Sequence, residues 1–203
     1  MTKYIKDLKL GDKVQAADEE GNVVYSDFLL FMDQDTQTRR LFYVIETTEP
    51  KRKLRVTAAH LIFIINSTEN SEMSITYASK VKPGHKVFVI DDTVGKLKAV
   101  TVERIHTEEF HSSFAPLTAH GTILVDQVLT SCYAVIVSHK WAHWAFAPLQ
   151  LSYRFMSLFV PGGGSNITCQ VDGVHWYSKM LFHVGTWLLD RDSFHPLGIL
   201  NWN

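Results

Sequence analysis

The sequence is short of cysteine, of net charge and of long apolar runs, and each shortage removes a class of protein. Two cysteines, Cys132 and Cys169, are too few for a disulfide scaffold, and neither belongs to a CxxC pair of the kind that zinc and redox sites use. With Lys+Arg at 20 and Asp+Glu at 21 the formal charge is -1, so the basic footprint of a nucleic-acid binder is missing and no nucleic-acid partner is expected. No stretch approaches the about 18 uninterrupted apolar residues of a membrane-spanning helix. The opening MTKYIKDLKLGDKV has no apolar centre of the kind a signal peptide or membrane anchor carries.

Apolar material is plentiful: 46% of the 203 residues are hydrophobic and 12% aromatic, enough for one large or two small domains with a real core. The first part reads as mainly β. VVYSDFLLFMD, RLFYVIETT, LRVTAAHLIFII, KVFVID, LKAVTVERI and GTILVDQVLTSCYAVI are dense in β-branched and aromatic residues and are separated by polar or glycine turns. An internal echo runs through them. LKLGDKV (residues 8 to 14) returns as VKPGHKV (residues 81 to 87), and Gly21 and Gly95 keep step with one residue inserted, which predicts two related strand-turn-strand units and a pseudo-two-fold β domain.

After Ser138 the composition changes, dividing the chain into residues 1–138 and 139–203. HKWAHWAFAPLQLSYRFMSLFV is aromatic and poor in charge, PGGGSN is a flexible break, and VHWYSKMLFHVGTWLLD places Trp176, Met180, Val184 and Leu188 at i+4 spacing. Two helical segments around a glycine linker are expected. Such a stripe is most often core; appended to an already complete β domain, it also suits a lipid or a membrane surface. His139 and His143 stand four apart, but no third or fourth ligand is evident nearby, so no metal is expected.

The chemistry-bearing stretch is VTAAHLIF, residues 56 to 63. A lone histidine in an apolar strand is most often structural. The functional reading is that Thr57 and His60 converge on one peptide bond, the imidazole protonating a leaving nitrogen while the hydroxyl orients the same group. Asn66-Ser67-Thr68 and Asn166-Ile167-Thr168 fit the N-glycosylation pattern, which would require passage through the lumen of the endoplasmic reticulum.

GDKV at Gly11, VYSDFLLFMDQD, LFYVIETTEP, TAAHLIF, APLTAHGTILVDQVLTSCYAVI, WAHWAFAP, HWYSKMLFHVGTWLLD and HPLG together resemble the C-terminal autoprocessing domain of Hedgehog proteins, over essentially the whole chain and in the family's order. The resemblance implies a Hint (hedgehog/intein) fold of duplicated β structure, followed by a sterol-recognition region that fits residues 139–203. It implies an N-to-S acyl shift at a Gly-Cys bond, then attack on the thioester by cholesterol, which acts as second substrate and stays on the released N-terminal signalling fragment. No cofactor is implied. By similarity Thr57 and His60 serve the acyl shift, Asp33 in FLLFMDQD matches the aspartate of cholesterol transfer, and Cys132 lies near the nucleophile as a plausible redox partner. Asp35 is the weaker choice, since DQDTQTRR is polar and aspartate favours turns.

One departure stands out. The family begins this domain with Cys-Phe and roughly a dozen further residues before the motif seen here as Lys6-Asp7-Leu8, whereas this chain reaches it five residues after Met1. The expectation is therefore an autoprocessing domain that lacks its first strand and nucleophile and is inactive as it stands. A fragment of a longer precursor, an incomplete gene model and a true loss all fit. A non-catalytic sterol- or lipid-binding module is the alternative. An intein-like splicing element fits less well, because HPLGILNWN lacks the terminal His-Asn that splicing uses.

Overall fold

A glycine in left-handed conformation opens each half of the molecule. Gly11 and Gly84, 73 positions apart in sequence, have φ of 84° and 92°, values that L side chains rarely adopt. The structure, a computed structural model, describes residues 2–66, 73–91, 93–134 and 173–174. Around the two glycines the backbone repeats bond for bond. The Leu8 N–H donates to Ile5 and the Val81 N–H to Ala78; the Gly11 N–H donates to Phe28 (3.1 Å) and the Gly84 N–H to Val102 (2.9 Å). Even the side-chain cap repeats, since the Lys9 N–H donates to the Asp12 carboxylate (2.7 Å) and the Lys82 N–H to the His85 Nδ1 (3.3 Å).

Each turn feeds a hairpin. Strands β1 (Lys13–Ala17) and β2 (Val23–Thr47) pair antiparallel, and so do β6 (Lys86–Asp91) and β7 (Lys96–Thr118). Between the hairpins come β3 (Lys53–Thr57), β4 (His60–Ile65) and β5 (Met73–Tyr77); after them come β8 (Thr122–Val125), β9 (Val128–Ala134) and the two-residue β10 (Gly173–Val174). The duplication legible in the sequence is thus the organising feature of a mainly β chain. The long strands β2 and β7 run antiparallel from Phe28 opposite Thr118 to Thr47 opposite Val102 and join the two halves. One sheet orders β1-β2-β7-β6-β4-β9-β8, with β3 and β10 added to β2 and β5 to β4.

The two larger apolar clusters among the described residues hold this arrangement. Ile45, Leu54, Val56, Ile62 and Ile64 from the first half pack with Val87, Val89, Val100, Val102 and Val128 from the second. A second cluster gathers Leu29, Met32, Leu61, Leu117, Ile123, Cys132 and Tyr133. Leu61 and Leu117 have no exposed surface, and burying a leucine fully is worth about 1.5–3 kcal/mol.

Three local details differ from the sequence reading. LRVTAAHLIFII is two strands, because Ala58 and Ala59 turn the chain between β3 and β4. TILVDQVLTSCYA is also two, reversing at Asp126 (φ 48°) and Gln127 (φ 67°), a tight turn with both central residues left-handed. Conversely, the polar DQDTQTRR does not end a strand: β2 continues through it, with a register shift entering Asp33 and the larger one between Asp35 and Arg39. The expected helical segments of residues 139–203 lie outside the described residues, apart from β10.

Candidate functional site

The Ala58-Ala59 turn puts Thr57 at the end of β3 and His60 at the start of β4. Thr57 is held in register opposite Phe42 of β2, and His60 opposite Ala134 of β9, with a bulge before Ile62 meets Thr130. The imidazole makes a hydrogen bond to the Ser131 backbone, while its Nε2 is inaccessible to solvent and has no partner among the described residues. A partnerless buried nitrogen is expensive unless something is meant to meet it. Burial pushes the His60 pKa down to about 4 against the opposing effect of Ser131, so the ring is neutral at physiological pH and Nε2 presents a lone pair.

Cys132, on the strand that flanks His60, is 2% exposed, and its thiol lies 3.6 Å from the Thr118 hydroxyl. Burial pushes its pKa up to about 11, the reverse of what an attacking thiolate needs. Cys132 therefore contributes packing beside the site; Cys169 lies outside the described residues.

Asp33 occupies the middle of β2, between Ala115 of β7 on one side and Val174 of β10 on the other. Its carboxylate is 24% exposed and lies 3.5 Å from the Arg40 guanidinium. Burial raises its pKa, Arg40 opposes that, and Asp35 reinforces it. Asp35 is held well below the usual carboxylate range, chiefly by the Thr38 N–H, with Gln37 and Arg40 adding to it. Of the two aspartates, Asp35 is tied into the backbone and Asp33 keeps proton-accepting capacity.

Thr57 and His60 stand together at the β3–β4 turn; no hydrogen bond among the described residues joins them to Asp33. What links the two places is the second apolar cluster, where Met32, Leu61 and Cys132, immediate neighbours or members of the candidate set, pack together. Sequence reasoning passed over Arg40, half of an Arg-Arg pair in a polar stretch, and Ser113, whose buried hydroxyl lacks a hydrogen-bond partner and stands opposite Asp35. A cation seven residues beyond an acid is no signal in a regular strand; only the irregularity after Asp35 brings the two together. Among the described residues no group of three or more His, Cys, Asp or Glu converges as for a metal, and His139 and His143 lie outside them. Asn66 follows β4 and is half-buried; Asn166 also lies outside.

A turn-linked Thr and His beside a duplicated β hairpin agrees with a match of the Hint module family over residues 1–190. This chain belongs to the Hint module family. The module is of the hedgehog kind: it is 63% identical to the Tiggy-winkle hedgehog protein of Danio rerio over 98% of this chain and 48% of that protein. It is 56% identical to the Sonic hedgehog protein of Danio rerio (97% and 48%) and 34% identical to the hedgehog protein of Drosophila virilis (95% and 42%). The chain thus spans about half the length of the curated relatives it matches. Among solved structures, the PabCDC21-1 intein superposes with a TM-score of 0.50 at 16% identity, covering 59% of this chain and 68% of that one. The Ssp DnaB mini-intein variant does so with 0.51 at 12% identity, covering 63% and 79%. At such identities the inteins share the fold of the Hint module and carry no more than that. Among the described residues no helix is long and apolar enough to cross a membrane.

Proposed function

We propose that this Hint module, joined to an upstream segment ending in Gly-Cys, releases that segment with cholesterol esterified to its new C-terminus. In the first step the cysteine thiol gives its proton to the His60 lone pair, and its sulfur attacks the glycine carbonyl carbon. The C–N bond breaks as the same proton passes to the leaving nitrogen, and a thioester remains; Thr57 orients the amide. In the second step Asp33 accepts the sterol hydroxyl proton, the oxygen attacks the thioester carbonyl, and the C–S bond breaks to return the thiolate, which is reprotonated. Residues 139–203 recognise the sterol and contact the membrane surface. The partners are then cholesterol and, in cis, an N-terminal signalling domain, and the reaction belongs to the lumen of the endoplasmic reticulum and the secretory pathway, with Asn66 and Asn166 as glycosylation sites.

The observation that supports this division best is β10: a segment of the 139–203 region pairs with β2 opposite Asp33, bringing the sterol region's backbone to the residue assigned to the sterol step. In the joined chain, Asp33→Ala is expected to leave dithiothreitol-driven cleavage within about threefold of normal and to reduce cholesterol-driven cleavage by about 10²-fold or more. Equal loss of both refutes the division. Among the described residues the apolar clusters draw only on residues 14–133, so a chain ending at residue 138, with 139–203 deleted, is expected to fold. Thiol-driven cleavage should survive that deletion and the response to cholesterol should vanish.

A second reading applies to the 203 residues expressed alone. Their only described cysteine, Cys132, is buried with its pKa raised and makes a poor nucleophile, so the unjoined chain is expected to act as a sterol- or lipid-binding module that transfers nothing. Intact mass after incubation with dithiothreitol and with cholesterol checks this: any cleavage product or sterol adduct overturns it.

A further inference from the structure

A regular strand rises about 3.3 Å per residue, which would set residues 33 and 40 more than about 20 Å apart. They are ion-paired here because three residues of β2, Thr36, Gln37 and Thr38, face the single Ser112 of β7, itself left-handed at φ 81°. The Asp35 carboxylate closes this loop by accepting the N–H groups of Gln37 (3.0 Å) and Thr38 (2.9 Å). The chain folds back, and Arg40 Nε and Nη2 both donate to Asp35 Oδ2, at 3.3 and 3.0 Å. That grip uses one side of the guanidinium. The remaining nitrogen, Nη1, is left facing Asp33 Oδ2 at 3.5 Å.

We propose that Arg40, aimed by Asp35 across the bulge, is a positioning residue for Asp33 that holds the carboxylate ionised and oriented as the proton acceptor of the sterol step. The inference rests on the reading of Asp33 as the base of that step. A half-buried carboxylate next to a second carboxylate tends to keep its proton, and a protonated acid accepts none. Arg40 supplies the countercharge that both carboxylates need, and Asp35 fixes the side chain, so its orientation does not depend on Asp33. An ionised carboxylate has about four acceptor sites. Arg40 occupies Oδ2 and the Gln34 N–H makes the weakest contribution, leaving capacity for an incoming hydroxyl.

Among the described residues few other groups can mimic this effect. On β2 the charged neighbours of Asp33 are Arg40 and Asp35. Across β7 stand Ala115, with Pro116, Phe114 and Ser113 beside it, and across β10 Val174 and Gly173, none of which titrates. Arg39 is engaged elsewhere, with His111 (3.0 Å) and Glu109.

The experiment uses the joined chain, with rates of cholesterol-driven and dithiothreitol-driven cleavage measured from pH 5 to 8. Arg40→Gln is expected to move the acid limb of the cholesterol-driven rate upward by about one pH unit, the effect of an opposite charge at this range. The thiol-driven rate should stay within twofold, and Arg40→Lys should recover most of the limb. A limb that stays in place, or a thiol-driven rate that falls in parallel, overturns the proposal. A ¹³C carboxyl titration of the 203-residue chain gives a readout without cleavage: Arg40→Gln should raise the Asp33 midpoint and Arg40→Lys should restore it, and an unchanged midpoint is equally fatal. Asp33→Asn separates the two failures. If that variant keeps cholesterol-driven cleavage, the reading of Asp33 is wrong; if it loses it while Arg40→Gln changes nothing, only the role of Arg40 is wrong.

Discussion

His60 and Asp33 are both partly buried, both titratable and both set in strands of one sheet, yet the fold treats them in opposite ways. His60 has a backbone hydrogen bond and, among the described residues, no countercharge, and burial drives it to the neutral form. Asp33 feels the same pressure toward neutrality but has Arg40 beside it. The difference fits the roles proposed for the two groups. A neutral imidazole is already a proton acceptor, so burial prepares it without further help. A neutral carboxylic acid is the spent form of a base, so a buried aspartate meant to accept a proton needs a cation to keep it ionised.

The largest effect that tests this contrast comes from removing the imidazole. In the joined chain His60→Ala should lower dithiothreitol-driven and cholesterol-driven cleavage together, by about 10²- to 10⁴-fold, because both depend on the same acyl shift. Asp33→Ala spares the first of these, so the two variants should separate cleanly on a plot of one rate against the other. Retention of thiol-driven cleavage in His60→Ala would return the histidine to a purely structural role and dissolve the comparison.

The next effect is on stability and needs no substrate. His60 binds its proton at about 4 when folded against an ordinary value of 6.5, so the unfolded chain takes up a proton first as pH falls. Stability contributed by the neutral ring is present above pH 6.5 and is lost as pH drops toward 4, about 2 kcal/mol of it between pH 7 and pH 5. Asp33 works with the opposite sign: a raised carboxylate favours the fold at low pH and loses that contribution as pH rises past its folded value. Urea unfolding at pH 7 and pH 5 should show the fall in the native chain and its absence in His60→Gln. The same slope in both chains would mean that His60 is not the group being protonated.

How much of this was written in the sequence depends on the range of the interaction. The repeat of LKLGDKV and VKPGHKV, together with alternating β-branched runs, announced the duplicated β fold, because left-handed glycines and strand propensity act over a few residues. That Thr57 and His60 flank a single turn is likewise local, since they are three positions apart. Arg40 was not legible, since its meeting with Asp33 depends on three extra residues of β2 facing Ser112 across β7. The turn at Asp126 and Gln127 was missed because neither residue is the glycine that usually marks such a turn, and the continuation of β2 beyond Asp33 was masked by polar residues that β7 in part nonetheless pairs. The meeting of Val174 with Asp33 was equally hidden, being a contact across well over a hundred positions.

The smallest effect asks whether the two halves are equal as supports for these different sites. Gly11 ties its turn to Phe28 of β2, the strand that carries Asp33, and Gly84 ties its turn to Val102 of β7. Both glycines are left-handed, and a β-carbon added at either would meet nothing within 4 Å. The cost of alanine is then conformational alone, about 1–2 kcal/mol at each position, with no clash to distinguish them. Gly11→Ala and Gly84→Ala should therefore shift the urea midpoint by the same amount and leave the ratio of cholesterol-driven to thiol-driven cleavage unchanged. A larger loss for Gly11→Ala, or a fall in that ratio confined to it, would show that the first turn holds β2 in the shape that brings Arg40 to Asp33, and that the repeat is symmetric in backbone but not in energy.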